Sequence, residues 1–472
     1  MEINMYYEDN TAKDVKIAYI GGGSRGWAWG LMSDLALCED MSGNVDLYDI
    51  DTEAAKANEI IGNRYNTAEY AKSHWSYRAV EALHEALTGA DFVVISILPA
   101  TFKEMYSDVH TPEKYGIYQS VGDTTGPGGI VRAMRTIPMF EVIAEAVEKY
   151  CPDAWVINFT NPMTLCVKTL YRVFPGIKAF GCCHEVFGTQ ELLKRMLETE
   201  YGITVGSRSD IKVNPIGVNH FTWLTEATYD NMDLFPLYRS YAQKRLEKKL
   251  TFHERIDNNW MNNHFASDEY VKMELFLRFG WIAAAGDRHL AEFCPGKWYL
   301  ESPERVAEMH FGLTPVSWRI ADLEERLEES RQRLNGKAIT LCSTGEDSVK
   351  LMRALSGLGD IVSNVNYPNT GQIPNLPSGA VVETNAVFSE NRIVPVNAGK
   401  VPTSIYPLIS RVCALQEAVS EGCARRDLEM IFAAFAGDPL VTCSLKDARQ
   451  LFAEMCKNTG DYLTDYPLDK FY

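Results

Sequence analysis

The sequence predicts an α/β protein, with a doubly wound, mostly parallel sheet in its first part and a mixed α+β region after it. Three observations carry this. Val15-Lys16-Ile17-Ala18-Tyr19-Ile20 is a short apolar run of strand character, Gly21-Gly22-Gly23-Ser24-Arg25-Gly26 is a G-x-G-x-x-G turn, and Trp27 onward can open a helix. Together they are the parts of a dinucleotide-binding unit. The glycines permit a tight turn, admit a pyrophosphate to backbone N–H groups at the helix N-terminus, and let helix and strand pack closely. The second half of the signal follows at Asn44-Val45-Asp46-Leu47-Tyr48-Asp49, a strand ending in an acid about twenty residues past the last glycine, where a ribose hydroxyl binds. The first part is therefore Rossmann-type, with Gly21, Gly22, Gly23, Ser24, Arg25, Gly26 and Asp49 expected to hold NAD. The alternative is a ligand-free glycine turn between core elements.

The remaining elements follow in order. Residues 52–65 form a helix with Thr52 or Asp51 as N-cap, Tyr77–Val80 a weak strand and Glu81–Leu87 a short helix. Asp91–Leu98 is a continuous apolar, β-branched run, which in this setting is a buried parallel strand; Pro99 ends it and begins a loop beside the cofactor. Residues 111–138 read as a long polar, glycine-dense loop opening a helix that runs to about Tyr150. A loop of that length is costly in chain entropy, which suggests a function for it. Trp155–Asn158 is the next strand, and Asn161, held extended before Pro162, leaves its amide free for a ligand. A strand over Ile177–Gly181 runs into Cys182-Cys183-His184-Glu185. The nucleotide-binding unit is expected over 15–200 and a substrate-binding unit over 201–472. In the latter, 211–224 reads as two strands joined at Asn219-His220, followed by helices over 235–250, 268–279 and 321–334. Residues 360–398 return to strands and turns, and 405–457 to helix.

Bulk properties narrow the function. The chain has 472 residues, 46% of them hydrophobic, enough for a substantial core. A net charge of −17 argues against a nucleic-acid partner, which needs clustered Lys and Arg, but permits an acidic small substrate held by a few arginines. The first fourteen residues carry acids and no apolar core segment, and no later stretch has the roughly eighteen uninterrupted apolar residues of a membrane span. Eleven cysteines without a secreted-scaffold spacing suggest free thiols in a reducing cytoplasm.

Two groups of residues can carry chemistry. Cys183 and His220 each stand at a strand end on the expected cofactor side, and a thiolate with an imidazole can bind a divalent metal while leaving positions for substrate oxygens. Their spacing matches no closed zinc motif, so two small core residues and a buried, hydrogen-bonded histidine remain open. Asp123 in the glycine-rich loop and Asp287 in Ala285-Gly286-Asp287-Arg288-His289 are the acid/base candidates. An Asx-turn for Asp123 and an ion pair to Arg288 for Asp287 are the structural alternatives.

The ordered set GGGSRGW, VGDTTGPGG with RAMRTIP, INFTNP, GCCHEVFG, GVNHFTW, AGDRHLAEF, and NVNYPNTGQIPNLP with VVETN resembles glycoside hydrolase family 4, the NAD- and manganese-dependent glycosidases. The resemblance runs from about residue 15 to 440, and GCCHEVFG with GDTTGPGG is most similar to its α-galacturonidase branch. It implies Cys183 and His220 as metal ligands, Asp123 as general acid, and Asn161, His184, Asn219 and Arg288 as substrate-binding. It also implies a base at the C2 position, either Asp287 or a tyrosine. Residues 275–279 hold no tyrosine, which favours Asp287.

The implied reaction oxidises the sugar at C3, deprotonates C2, expels the C1 leaving group, adds water and reverses the oxidation. Such an enzyme is outside the usual two-carboxylate scheme for glycosidases. The implied substrate is a small pectin-derived galacturonide cut from its end. A glucuronide, galactoside or glucoside specificity is the near alternative and a 2-hydroxy-acid dehydrogenase the distant one. A uronate needs a bidentate carboxylate clamp, for which Arg132, Arg135, Arg288, His289 and Lys297 are candidates. The resemblance also implies a homodimer or homotetramer.

Overall fold

A computed structural model of the chain describes residues 5–251, 265 and 267–470. Its spine is one fourteen-stranded sheet. The strands are β1 (Tyr6–Glu8), β2 (Thr11–Ile20), β3 (Met41–Tyr48), β4 (Trp75–Val80), β5 (Phe92–Ile95), β6 (Trp155–Asn158) and β7 (Lys178–Gly181). They continue with β8 (Lys212–Val218), β9 (Phe221–Tyr229), β10 (Met232–Asp233), β11 (Ile282–Ala283), β12 (Ile361–Pro368), β13 (Val381–Ser389) and β14 (Arg392–Pro395).

Strands β4-β3-β2-β5-β6-β7 are adjacent in that order and all parallel. The winding reverses between β2 and β5, so a crevice opens beyond the carboxyl ends of those strands. Gly21 stands at its floor with φ +97°, and a Cβ there would lie 2.0 Å from the Ser96 carbonyl oxygen. Only glycine lets the two strand ends approach so closely. From β7 the sheet continues antiparallel through β12, β13, β8, β9 and β10. The ranges expected for the two units thus share a single sheet.

The helix expected over 52–65 is present at Thr52–Tyr65, capped by Asp51, whose carboxylate accepts the Ala54 N–H at 3.0 Å. Those expected over 235–250 and 268–279 are Phe235–Lys248 and Tyr270–Phe279. The long loop expected over 111–138 is shorter, because the helix Gly126–Tyr150 begins inside it. Pro127 occupies the first turn, where its missing N–H leaves nothing unpaired, and Gly129 lies so tight that a Cβ would meet the Thr124 carbonyl carbon at 2.5 Å. The helix Phe102–His110 precedes the loop. The charged helix starts at Val316 rather than 321 and buries only Val316 and Ser330 among its nineteen residues.

Side chains fill both faces of the sheet: Trp29, Leu47 and Phe180 on one side, Val93, Phe140 and Val156 on the other. A larger core around Phe221, Trp223, Phe293 and Phe452 supports the second half. All eleven cysteines are free. Among the described residues no helix is long and apolar enough to cross a membrane.

One buried ion pair braces the glycine-rich loop from behind. Arg135 donates from Nη1 to Asp108 Oδ1 at 3.0 Å and from Nε to the Pro99 carbonyl at 2.9 Å, and both side chains are sealed from water. Removing one partner leaves an uncompensated buried charge, so Asp108→Ala should lower the unfolding free energy by about 3–5 kcal/mol in chemical denaturation. A loss below about 1 kcal/mol would show that the pair does not brace the loop.

Candidate active site

The glycine turn is held by hydrogen bonds made with its own backbone. Asn58, on the helix Thr52–Tyr65, donates from Nδ2 to the carbonyls of Gly22 at 2.8 Å and Ser24 at 2.9 Å, while its Oδ1 accepts from Trp29 Nε1. Asp49 Oδ2 accepts the Gly23 N–H at 2.9 Å. A Cβ on Gly22 would lie 2.7 Å from Leu47 Cβ, and one on Gly26 2.7 Å from Arg326 Nη1. The turn therefore presents bare backbone at the start of the helix Trp27–Leu37, a fit for a dinucleotide pyrophosphate. Asn58 escaped the sequence reading because an asparagine one helix away carries no motif.

Beyond the ends of β5 and β6, Thr160 Oγ1 accepts the Ile97 N–H at 3.0 Å, and Asn158 makes reciprocal bonds with the Thr160 backbone at 3.0 Å. This fixes Asn161, whose carbonyl accepts from Arg132 Nε at 3.1 Å and whose Nδ2 stands 3.5 Å from Asp123 Oδ2. Its Oδ1 is buried without a partner.

Opposite lies the β8–β9 hairpin, whose turn is Asn219-His220, with His220 in the left-handed region at φ 62°. Asn219 is fully buried; its amide has no nitrogen or oxygen partner, and the Cys183 thiol lies against it. One ligand atom each from Asp123, His220 and His289 lie within 4.8 Å of one another, and the two imidazoles stack at 3.8 Å. Thr124 Oγ1 is 2.7 Å from Asp123 Oδ1 and 2.8 Å from His220 Nδ1. A hydroxyl that donates to the carboxylate accepts from Nδ1–H, which leaves the His220 Nε2 lone pair free. Burial, with His289 alongside, pushes His220 down to about 3, and burial also lowers His289, so both rings are neutral. Burial would raise the Asp123 carboxyl, but His289, Arg132 and His220 outweigh it and hold it well below the carboxylate range. Two neutral imidazoles and an ionised carboxylate form a donor set for a divalent cation.

Cys183 is not part of that trio. Its thiol is buried and pushed well up, first by burial and then by Glu383 and Glu185. His184 points outward, half exposed, with Nδ1 2.9 Å from Glu346, and that carboxylate raises it to about 9. Glu185, which the sequence reading passed over, lies between the histidines: Oε1 is 3.8 Å from both His184 Nε2 and His289 Nε2, and Oε2 accepts the Gly286 N–H at 2.5 Å. Burial opposes its ionisation, but His289, His220 and His184 bring it down to about 2.

Asp287 does not join this group. Its carboxylate accepts the N–H groups of Val271 at 3.1 Å and Lys272 at 3.0 Å, at the start of the helix Tyr270–Phe279. Burial and Glu269 raise it to about 7. Asp287 thus anchors the short helix Asp287–Phe293, which carries Arg288, His289 and Glu292. Glu292 Oε1 accepts the N–H groups of Val121 at 2.7 Å and Gly122 at 2.8 Å and so shapes the Asp123 loop. Arg288 stacks over Phe265 at 4.4 Å and approaches the Ser120 carbonyl at 3.4 Å. Burial and Arg319 lower it to about 10. Among the other clamp candidates, Arg135 is committed to Asp108 and Lys297 is exposed on the helix Gly296–Tyr299.

Comparison with known proteins shows the family to which the chain belongs. Residues 16–199 match the family 4 glycosyl hydrolases and residues 215–441 their C-terminal domain. An α-galacturonidase of Thermoanaerobacterium saccharolyticum is 58% identical, covering 98% of this chain and 100% of that protein. A crystal structure from Bacillus subtilis, described as a glucosidase, is 48% identical with a TM-score of 0.88, covering 94% of this chain and 100% of that one. A 6-phospho-α-glucosidase from gut microorganisms, solved with NAD and Mn2+, shares the fold at 20% identity and a TM-score of 0.78, covering 95% and 99% of the two chains.

Glu292 supplies a pH test of the loop. Burial, with the Asp123 charge, raises it from 4.5 to about 8, so the stability it contributes is fully present below 4.5 and is lost as pH rises through about 8. Glu292→Gln removes this titration. Its melting temperature relative to the wild type should therefore rise by about 2 °C or more between about pH 5 and pH 8.5. A difference constant across that range would overturn the assignment.

Proposed function

Because this chain belongs to glycosyl hydrolase family 4, we propose that it is an exo-acting α-galacturonidase that cleaves small pectin-derived galacturonides with NAD and a divalent metal, manganese foremost. The observation that carries this reading is the Asp123–His220–His289 trio, a cation-ready donor set at the carboxyl end of a dinucleotide-binding sheet. The 58% identity to an α-galacturonidase supports the sugar.

When bound, NAD supplies reversible oxidation of a sugar carbon and the metal supplies Lewis acidity toward sugar hydroxyls. The Gly21–Gly26 turn and Asp49 would hold NAD. His220, with Asp123 and His289, would hold the metal, and we propose Cys183, whose thiol borders the hairpin turn at Asn219, as a further ligand. The Cys183 thiol must lose its proton to ligate, so metal affinity should rise with pH.

Asp123 is an anion at neutral pH and has no proton to give, whereas His184 is protonated there and can donate one to a departing sugar. Glu185 is ionised and one Oε is uncommitted to backbone, so it is the carboxylate able to take a proton from the sugar. Asp287, with its carboxylate bonded to a helix N-terminus, acts as a positioning residue for Arg288 and His289. Asn161, Asn219 and Arg288 would bind the sugar, a reading supported by the buried polar atoms of Asn161 and Arg288 that have no protein partner. We assign the enzyme to the cytoplasm, as a homodimer or homotetramer.

The test is hydrolysis of digalacturonate with NAD, Mn2+ and reductant, each omitted in turn, beside the matching glucuronide and galactoside. Galacturonate should appear only with all three, at constant reduced-cofactor absorbance. Steady accumulation of reduced cofactor without cleavage would make the protein a dehydrogenase, and cleavage of a control sugar alone would move the specificity. In calorimetry, Asp123→Asn and Cys183→Ser should each weaken Mn2+ binding about tenfold or more, and binding should tighten between about pH 6 and pH 8. Unchanged affinity in either variant would remove that residue from the metal site.

A further inference from the structure

Three guanidinium groups converge beside the acid and histidine trio, and they come from three different elements. Arg132 is on the helix Gly126–Tyr150, Arg288 on the helix Asp287–Phe293 and Arg319 on the first turns of the helix Val316–Leu334. Each leaves a buried donor without a hydrogen-bond partner: Arg132 Nη1, Arg288 Nε and Arg319 Nε.

The geometry that brings Arg319 to Arg288 is built from both sides. Ser120 ties them together: its hydroxyl donates to the Arg288 carbonyl at 2.5 Å, and its own carbonyl accepts the Thr314 N–H at 3.2 Å, just before the helix that carries Arg319. The Val316 N–H, in the same turn, is fixed on His110 Nε2 at 3.1 Å. Phe265 bridges the two elements again, with Arg288 over its face at 4.4 Å and the Trp318 ring against it at 4.5 Å.

A buried donor left unpaired costs about 1–3 kcal/mol, more when charged, and Arg132, Arg288 and Arg319 each carry one. Like-charged guanidiniums held together also repel one another, and Asp123 is the anion facing them. Both costs are relieved by one group: a ligand anion with two oxygens in a plane, which a guanidinium edge binds through paired N–H donors.

We infer that Arg319, with Arg288, binds the carboxylate of the galacturonosyl residue and so sets the preference for a uronate over a neutral sugar. This deepens, and rests on, the galacturonide reading above. Arg319 has no sequence motif around it and stands just ahead of the 321–334 segment that reads as a charged helix, within the helix Val316–Leu334 that the structure shows. Its role is specificity rather than bond cleavage, so its loss should appear in binding and KM before kcat.

The test uses the full-length protein with NAD and Mn2+ bound, and reads galacturonate binding by calorimetry, independent of turnover, beside kinetics on digalacturonate. The wild type should bind galacturonate but not galactose. Arg319→Gln should weaken galacturonate binding about tenfold or more and raise KM for digalacturonate similarly, with kcat within about threefold and NAD affinity unchanged. Arg319→Lys, which keeps the charge but not the bidentate edge, should be intermediate and covers the case in which the glutamine variant does not fold. Wild-type affinity for galacturonate in a folded Arg319 variant would overturn the inference and leave the galacturonide reading standing. A wild type that neither binds galacturonate nor cleaves digalacturonate would overturn both.

Discussion

The seam between β7 and β12 is the constraint on which the site depends. A single registered pair, Asn366 with Gly181, joins the parallel half of the sheet to the antiparallel half. A Cβ on Gly181 would meet Met163 Cγ at 2.7 Å and Asn366 Cβ at 3.1 Å, so the strands close only because glycine is there. Across this seam the sheet carries the Gly21–Gly26 turn on one side and the His220 hairpin on the other. Cys183, two residues past Gly181, and Glu383, on β13, are aligned by the same pairing. A slip of one residue would turn every side chain of β12 and β13 to the opposite face and separate Glu383 from Thr222 and Asn364, which hold its carboxylate.

A second connection spans the halves without any sheet. The helix Val316–Leu334 buries little, yet its arginines reach three places in succession. Arg319 lies by the Asp123 loop, Arg326 donates to the Arg25 carbonyl in the glycine turn at 3.1 Å, and Arg333 lies over Trp29 at 4.2 Å while bonding the Tyr65 hydroxyl at 2.9 Å. A charged helix with such contacts is held by its polar tips, not by an apolar stripe. It therefore ties the Gly21–Gly26 turn to the Ser120–Asp123 loop in one element.

This helix also shows what the sequence could and could not reveal. Periodicity located it to within a few residues at its start, because Leu323 and Leu327 recur at helical spacing. It gave no hint of where the helix docks, since arginine tips carry no periodic signal. The Gly21–Gly26 turn was legible because its chemistry is local: spacing, strand and helix onset are all within twenty residues. The hairpin at Asn219-His220 was legible for the same reason. The trio of Asp123, His220 and His289 was legible only in part, because it is assembled from residues separated by 97 and 69 positions, and no spacing rule spans such distances. The glycine-rich stretch misled in the other direction, since Gly128 and Gly129 signal a loop by composition but serve close packing inside a helix.

Asp287 makes the physical reason for these limits concrete. In sequence it is an acid in a turn-rich stretch between apolar elements, the pattern of a catalytic carboxylate. In the structure both its oxygens accept backbone N–H groups at the start of another helix, and Lys272, one residue of that helix, pairs with Glu269 rather than with Asp287. The carboxylate stabilises the amide ends of one helix and begins another, so its orientation fixes where residues 288, 289 and 292 point. Those three meet the Ser120 carbonyl, the histidine stack and the Asp123 loop respectively. Moving Asp287 would displace all three at once. An acid whose oxygens are spent on backbone N–H groups can thus shape a site through the residues it orients, and only its hydrogen-bond partners reveal that.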